Sequence, residues 1–204
     1  MGFCGVDRVS PRDKMNFLNV FEQYKYDQTI VAKSRVWFQQ QALLLRKQGV
    51  TTNKVYKNSG RVVSKIQPGN LYMFFYDPKY KETLPHYDRF PLVFPFEKTE
   101  NGFLGLNMHY LSYKLRIGVL ENLMRFKTTK GIEEKTRLRY SYSMLQGIAK
   151  FGLAKHCVKH YLSEHIVTQL KIIEPADWTT AMMLPVESFA KATTTQVWKT
   201  TGGT

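Results

Sequence analysis

Apolar residues recur at helical spacing near the start of the chain. Phe17, Leu18, Phe21 and Tyr24 fall on one side of a helical repeat, with Asp13 placed to favour a helix N-terminus. This spacing predicts a short amphipathic helix within residues 11–27. The next stretch, QTIVAKSRVWFQQQALLLRKQGV from Gln28, carries Trp37, Phe38, Leu43, Leu44 and Leu45 as its apolar side. It reads as a helix closing at Gly49, with Arg46 and Lys47 in the last turn, where the helix dipole favours cations. Then TTNKVYKNSGRVVSK turns polar and basic around Asn58-Ser59-Gly60, which predicts an exposed loop or hairpin.

From residue 61 to 107 the period shortens. RVVSKI, LYMFFYD, FPLVFPFE and GFLGLNM are brief, aromatic or β-branched, and separated by Pro68-Gly69, Asp77-Pro78 and Asn101-Gly102. They predict four strands, with Asn101-Gly102 as a hairpin turn. Leu71, Met73 and Phe75 alternate with Tyr72, Phe74 and Tyr76, so each set belongs to its own sheet face. Pro91 and Pro95 lack a backbone donor, so their strand should lie at an edge or carry a bulge.

Helical spacing returns with Leu111, Leu115, Val119, Leu123 and Phe126. LAKHCVKHYLSEH, residues 153–165, reads as a further short helix, and IVTQLKII, residues 166–173, as a strand that returns to the sheet. Pro175 and Asp177 suit the start of a helix in EPADWTTAMMLPVESF, and Pro185 limits it. The pattern is α+β: a small bent antiparallel sheet or SH3-like barrel, from residues 61–107 plus the late strand near 166–173, packed with several helices. Residues 1–60 form a helical arm and basic loop, 61–190 the body, and 191–204 a Thr-rich tail that is flexible or ordered by a partner.

Charge changes the picture more than composition does. The formal net charge is +14 over 204 residues, which draws polyanions through counterion release. No Asp or Glu occurs from Gln28 to Tyr76, while Lys33, Arg35, Arg46, Lys47, Lys54, Lys57, Arg61 and Lys65 all fall there. These residues, extended by Arg137 and Arg139, are the expected phosphate-contacting surface. The two cysteines, Cys4 and Cys157, lie far apart and suit a reducing compartment. No apolar run is long enough for a membrane span, and no apolar leader is visible at the start.

Candidate chemistry is thin. His156 and His160 would share a helix face, with Cys157 and His165 nearby, yet Cys157 points about 100° away from His156 on a helix. Asp77, Asp88 and Glu97 are the carboxylates a Mg²⁺-dependent nuclease would need, but each reads as structural, Asp77 from its turn position before a proline. Phosphate-binding, dinucleotide, nucleophile-elbow and zinc-protease motifs are absent from the sequence. No cofactor, metal, small-molecule substrate or enzymatic activity is expected. Most rings of residues 72–76 read as core, leaving Tyr80, His86 and Tyr87 for exposed contacts.

Three stretches, QPGNLYMFFYDPKYKETLPHYDRFPLVFPFE (67–97), GFLGLNMHYLSYKLR (102–116) and DWTTAMMLPVESFAKATTTQVWK (177–199), together resemble a family of virion-assembly proteins of T-even-type tailed phages, the DNA end protectors. The resemblance implies a non-enzymatic protein assembled in the host cytoplasm and carried in the virion. Its partners would be double-stranded DNA ends, shielded from host exonuclease, and portal, neck or tail proteins. A basic neck, tail or baseplate subunit that never touches DNA would share the same charge. The resemblance brings no motif of DNA-contacting residues with it.

Overall fold

A computed structural model of the chain describes residues 61–113, 115–120 and 152–200, together with Lys47, Tyr56, Lys57, Ser143 and Gly147. The helices expected over 11–27 and 28–49 lie outside the described residues, Lys47 excepted, which is helical. The four expected strands are present as β1 (Arg61–Val63), β2 (Leu71–Met73), β4 (Leu92–Lys98) and β5 (Gly102–Asn107). Between them lies the two-residue β3 (Tyr87–Asp88). Later come β6 (Val158–Leu162), β7 (Leu170–Ile173) and β8 (Phe189–Ala190), with helices α1 (Trp178–Met183) and α2 (Thr194–Thr200).

The main sheet has six strands in the order β1-β7-β2-β4-β5-β6, every neighbouring pair antiparallel. The late strand β7 does return, and it threads between β1 and β2. The sheet stays open, with β1 and β6 as its two edges, so the fold is α+β with a bent sheet and not a closed barrel. The bend has a cause in Pro95 of β4. That strand is internal, and its pairing with β5 shifts register between Pro95 and Glu97, a bulge that accommodates the missing donor.

Both faces of the sheet are buried, as the alternation of residues 71–76 requires. Leu71, Met73, Leu92, Phe94 and Leu106 face a core closed by Trp178 and Met182 of α1, Val197 of α2, and Leu115 and Val119 of the helical stretch 115–120. Trp178 is fully buried, edge-on to Phe94, and its Nε1 donates to the Ile173 carbonyl at 2.8 Å. The opposite face gathers Tyr72, Phe74, Tyr76, Val93, Phe103 and Tyr161. Phe74 meets Tyr161 edge-on at 5.4 Å and Phe103 stacks on Tyr161 at 5.3 Å, contacts worth about 0.5–1.5 kcal/mol each beyond their area. Phe75 is the exception, 38% exposed.

Two elements differ from the sequence pattern. Residues 158–162 form a strand, not the continuation of a helix. The chain leaves a short 3₁₀ segment, Gly152–Cys157, and adds β6 to the free edge of β5, where Tyr161 completes the aromatic face. Local helical spacing lost to the area a tyrosine buries on a sheet. Residues 194–200, within the stretch expected as a tail that is flexible or ordered by a partner, form α2. Val197 is fully buried there, and Trp198 Nε1 donates to the His109 carbonyl at 2.8 Å.

The buried Arg116 binds these parts together. Its guanidinium donates to the carbonyls of Leu111 (2.9 Å), Met182 (3.1 Å) and His109 (3.2 Å), and pairs with the buried carboxylate of Glu187. Tyr113 and Trp198 present their rings to it at 4.8 and 5.5 Å. A buried cation is tolerated only when its donors are occupied in this way.

Candidate nucleic-acid interface

The acid-free segment supplies one edge of the sheet. Arg61 lies on edge strand β1 with Lys65 just beyond it, and both are exposed. Lys57 is exposed as well, and its backbone is held to β7 because Lys171 Nζ donates to the carbonyls of Tyr56 and Lys57, the latter at 3.3 Å. Tyr56 wedges edge-on against Phe75 and Phe90, and its hydroxyl donates to the Gln169 carbonyl at 3.2 Å. Lys47 is also exposed. Among the described residues, Lys47, Lys57, Arg61 and Lys65 form no ion pair with a carboxylate. Lys33, Arg35, Arg46, Lys54, Arg137 and Arg139 lie outside the described residues.

The opposite edge carries a concave feature. A cleft of about 490 Å³ opens between the connection 76–88 and edge strand β6. The connection is held at both ends. Tyr76 bridges to Ile166, Asp77 N–H donates to the His165 carbonyl at 3.0 Å, and His165 Nδ1 donates back to the Asp77 carbonyl at 2.8 Å. Past Pro78 the chain makes one tight turn, with the Leu84 N–H donating to the Tyr80 carbonyl at 3.0 Å. Lys191 then caps that turn, its Nζ donating to the carbonyls of Lys81 (2.6 Å) and Glu82 (2.8 Å).

Asp88 stands at the cleft wall, buried to 4% exposure on β3 and not in a turn. Its Oδ1 accepts from the Phe90 N–H at 3.0 Å and the Ser188 N–H at 3.4 Å. Its Oδ2 accepts from Asn107 Nδ2 at 3.1 Å and His109 Nδ1 at 2.7 Å. Burial alone would push this carboxyl up. The charge and hydrogen bond of His109, with the hydrogen bonds from Asn107 and the Phe90 N–H, reverse that effect and hold it below its ordinary value. Asn107 Nδ2 also donates to the Tyr161 hydroxyl at 3.0 Å, so the network runs from β3 through β5 to β6.

Lys159 of β6 is the cation inside the cleft. Its Nζ sits 4.0 Å from the centre of the Tyr110 ring, and burial holds its pKa below the ordinary lysine value. His86, tilted against the same ring at 5.8 Å, is lowered by burial and then by the Lys159 charge. Tyr80, on the other wall, is 65% exposed with Lys79 Nζ 5.8 Å from its ring centre. Of the residues lining the cleft, sequence reasoning singled out Tyr80, His86 and Tyr87 but not Lys159 and Tyr161, because both were assigned to a helix. The alternation Val158, His160, Leu162 against Lys159, Tyr161 was the available signal.

The remaining candidates separate. Asp77 pairs with Lys81 at 2.9 Å, and Glu97 is exposed on β4. His156 and His160 are exposed and lie on a 3₁₀ segment and a strand, so the helical i,i+4 relation does not exist. His160 Nε2 bonds to Thr99 Oγ1 at 2.9 Å. Cys157 is fully buried, its thiol pushed up to about 12 by burial, a state unsuited to ligation or nucleophilic attack. Among the described residues no group of three His, Cys, Asp or Glu side chains is placed to hold a metal ion. Nor, among them, is any helix long and apolar enough to cross a membrane.

Comparison with known proteins adds one result. Residues 17–201 match the family described as phage T4 terminal DNA protecting protein, a span that takes in most of the N-terminal arm as well as the three stretches that resemble it. No curated protein and no solved structure gives a match. A match over nearly the whole chain shows membership, and the chain belongs to the phage T4 terminal DNA protecting protein family.

Proposed function

We propose that the protein binds the ends of packaged double-stranded DNA and shields them from host exonuclease, without catalysing any reaction. The family match over residues 17–201 carries this reading. The charge of +14 and the exposed Lys57, Arg61 and Lys65 at the β1 edge, unpaired among the described residues, support it. Cations of this kind hold the backbone and do not read sequence, which suits a protein that must accept whatever terminus packaging leaves. It would act in the virion, near the portal, after assembly in the host cytoplasm.

The test is exonuclease digestion of linear duplex with and without the protein, across a salt series. Protection is expected at low salt. With roughly six to ten phosphates neutralised, affinity should drop by roughly 10³–10⁵ between 50 and 200 mM salt. Absence of protection, together with salt-insensitive assembly onto a portal, neck or tail protein, would overturn the proposal and make the chain a basic structural subunit.

A further inference from the structure

The cleft beside β6 combines two kinds of chemistry that a plain protein surface keeps apart. Its walls are aromatic, with Tyr76 and Tyr161 packed edge-on at 5.0 Å behind the exposed Tyr80. Its charge is cationic, from Lys159 within and Lys79 at the rim. Among the described residues Asp88 is the one carboxylate in the lining, and four donors from Phe90, Ser188, Asn107 and His109 already occupy its oxygens. Lys159 has no carboxylate partner among those residues and rests on the Tyr110 ring. An amine held partly out of water without a counter-ion gains from an incoming anion.

We infer that this cleft seats the terminal nucleotide of a DNA strand, its phosphate at Lys159 and its base against Tyr80. A free phosphate would leave the rings unused, and an apolar ligand would leave Lys159 without a counter-ion. A nucleotide satisfies both. Base–aromatic stacking tolerates every base, and a cleft of this size lies within the range of roughly 300–1,000 Å³ that takes small ligands. The occupant is a strand end because interior bases are stacked in the duplex and cost several kcal/mol to extrude, while a terminal base frays. This inference rests on the end-protector reading and adds to it the place where the end is recognised.

Binding of the full chain to linear duplex and to closed circular duplex of the same sequence provides the test, with the variants Tyr80→Ala and Lys159→Met. Tyr80 is largely exposed, so its truncation leaves the core intact, and Lys159→Met keeps the apolar stem against Tyr110. Thermal melting checks both. Each variant is expected to bind linear duplex about tenfold more weakly, and circular duplex as the unaltered protein does. Deoxyadenosine 5′-monophosphate should compete with linear duplex, and inorganic phosphate should compete less well.

Unchanged binding of linear duplex by both folded variants overturns the inference. So does a loss that appears only in assembly with another virion protein, which would make the cleft a protein-docking site. If the unaltered protein protects ends and both variants protect them equally, the cleft assignment alone fails. If the unaltered protein does not distinguish linear from circular duplex and gives no protection, the end-protector reading fails with it.

Discussion

The two edges of the sheet differ in length, exposure and cover. Edge strand β1 is three residues long and mostly exposed, with Arg61 and the nearby Lys57 and Lys65 free of carboxylate partners among the described residues. Short, charged edges discourage pairing with other strands, so the same cations that suit a polyanion also protect the edge. Edge strand β6 is covered on one side by the 76–88 connection, which turns the edge into a cleft. Five strand spacings put the edges roughly 24 Å apart before twist is counted. A flat basic edge attracts any phosphate backbone, while a walled cleft admits only something with an end. In the proposed function, affinity would come from the first and the preference for termini from the second.

The largest expected effect comes from removing the support of the cleft edge. Asp88→Ala leaves His109, Asn107 and the Phe90 N–H without their buried partner, and should lower stability by about 3–5 kcal/mol in urea unfolding. Asp88 also predicts an acid limb. Its folded-state pKa lies below the ordinary 3.8, so its contribution is fully present above that value. It fades as pH falls below about 4, through the depressed folded value. In Asp88→Asn that part of the pH–stability profile should flatten; an unchanged acid limb would show that other carboxylates set it.

The next largest effect belongs to the basic edge. Replacing Lys57, Arg61 and Lys65 together with alanine should weaken binding to linear and circular duplex alike. Every phosphate no longer neutralised should reduce the slope of log affinity against log salt by about 0.9. Weakening confined to linear DNA would collapse the division of labour between the edges. Smaller, and aimed at the cleft edge alone, is Gly102→Ala. A Cβ at Gly102 would overlap the Tyr161 carbonyl oxygen, so backbone must move and β6 must shift from β5. About 1–3 kcal/mol of stability should be lost, and amide exchange should rise in β6 while β1 and β7 stay protected.

The same contrast explains what the sequence made legible. The basic edge shows as a run without acids, because charge placement is local and survives any folding of the segment. The hairpin at Asn101-Gly102 and the bulge forced by Pro95 are local too, and both can be read from the residues themselves. The cleft joins residues 76–88 to residues 158–162, two stretches some seventy positions apart. Only the pairing of β6 with β5 brings them together, and that pairing overrode the helical spacing of LAKHCVKHYLSEH. α2 was hidden for a related reason. Its Thr-rich sequence has poor helix propensity, and one buried Val197 with the Trp198–His109 bond supplies what propensity does not.

The smallest expected effect lies at the cleft rim, where Asp77 could be mistaken for a working carboxylate. It pairs with Lys81 four residues on, and hydrogen bonding to Asp77 raises the pKa of that lysine. Both groups are well exposed, so water screens the pair and little stability depends on it. The backbone contacts of Asp77 with His165 do the anchoring, and they do not involve the carboxylate. Asp77→Asn should therefore leave the melting temperature unchanged, and should hold or slightly tighten duplex binding by freeing a cation beside Tyr80. A metal-dependent nuclease centred on this acid would behave otherwise, giving DNA cleavage in the unaltered protein that disappears in Asp77→Asn. Incubation of both proteins with supercoiled and linear duplex in Mg²⁺ separates the outcomes, with intact DNA expected throughout.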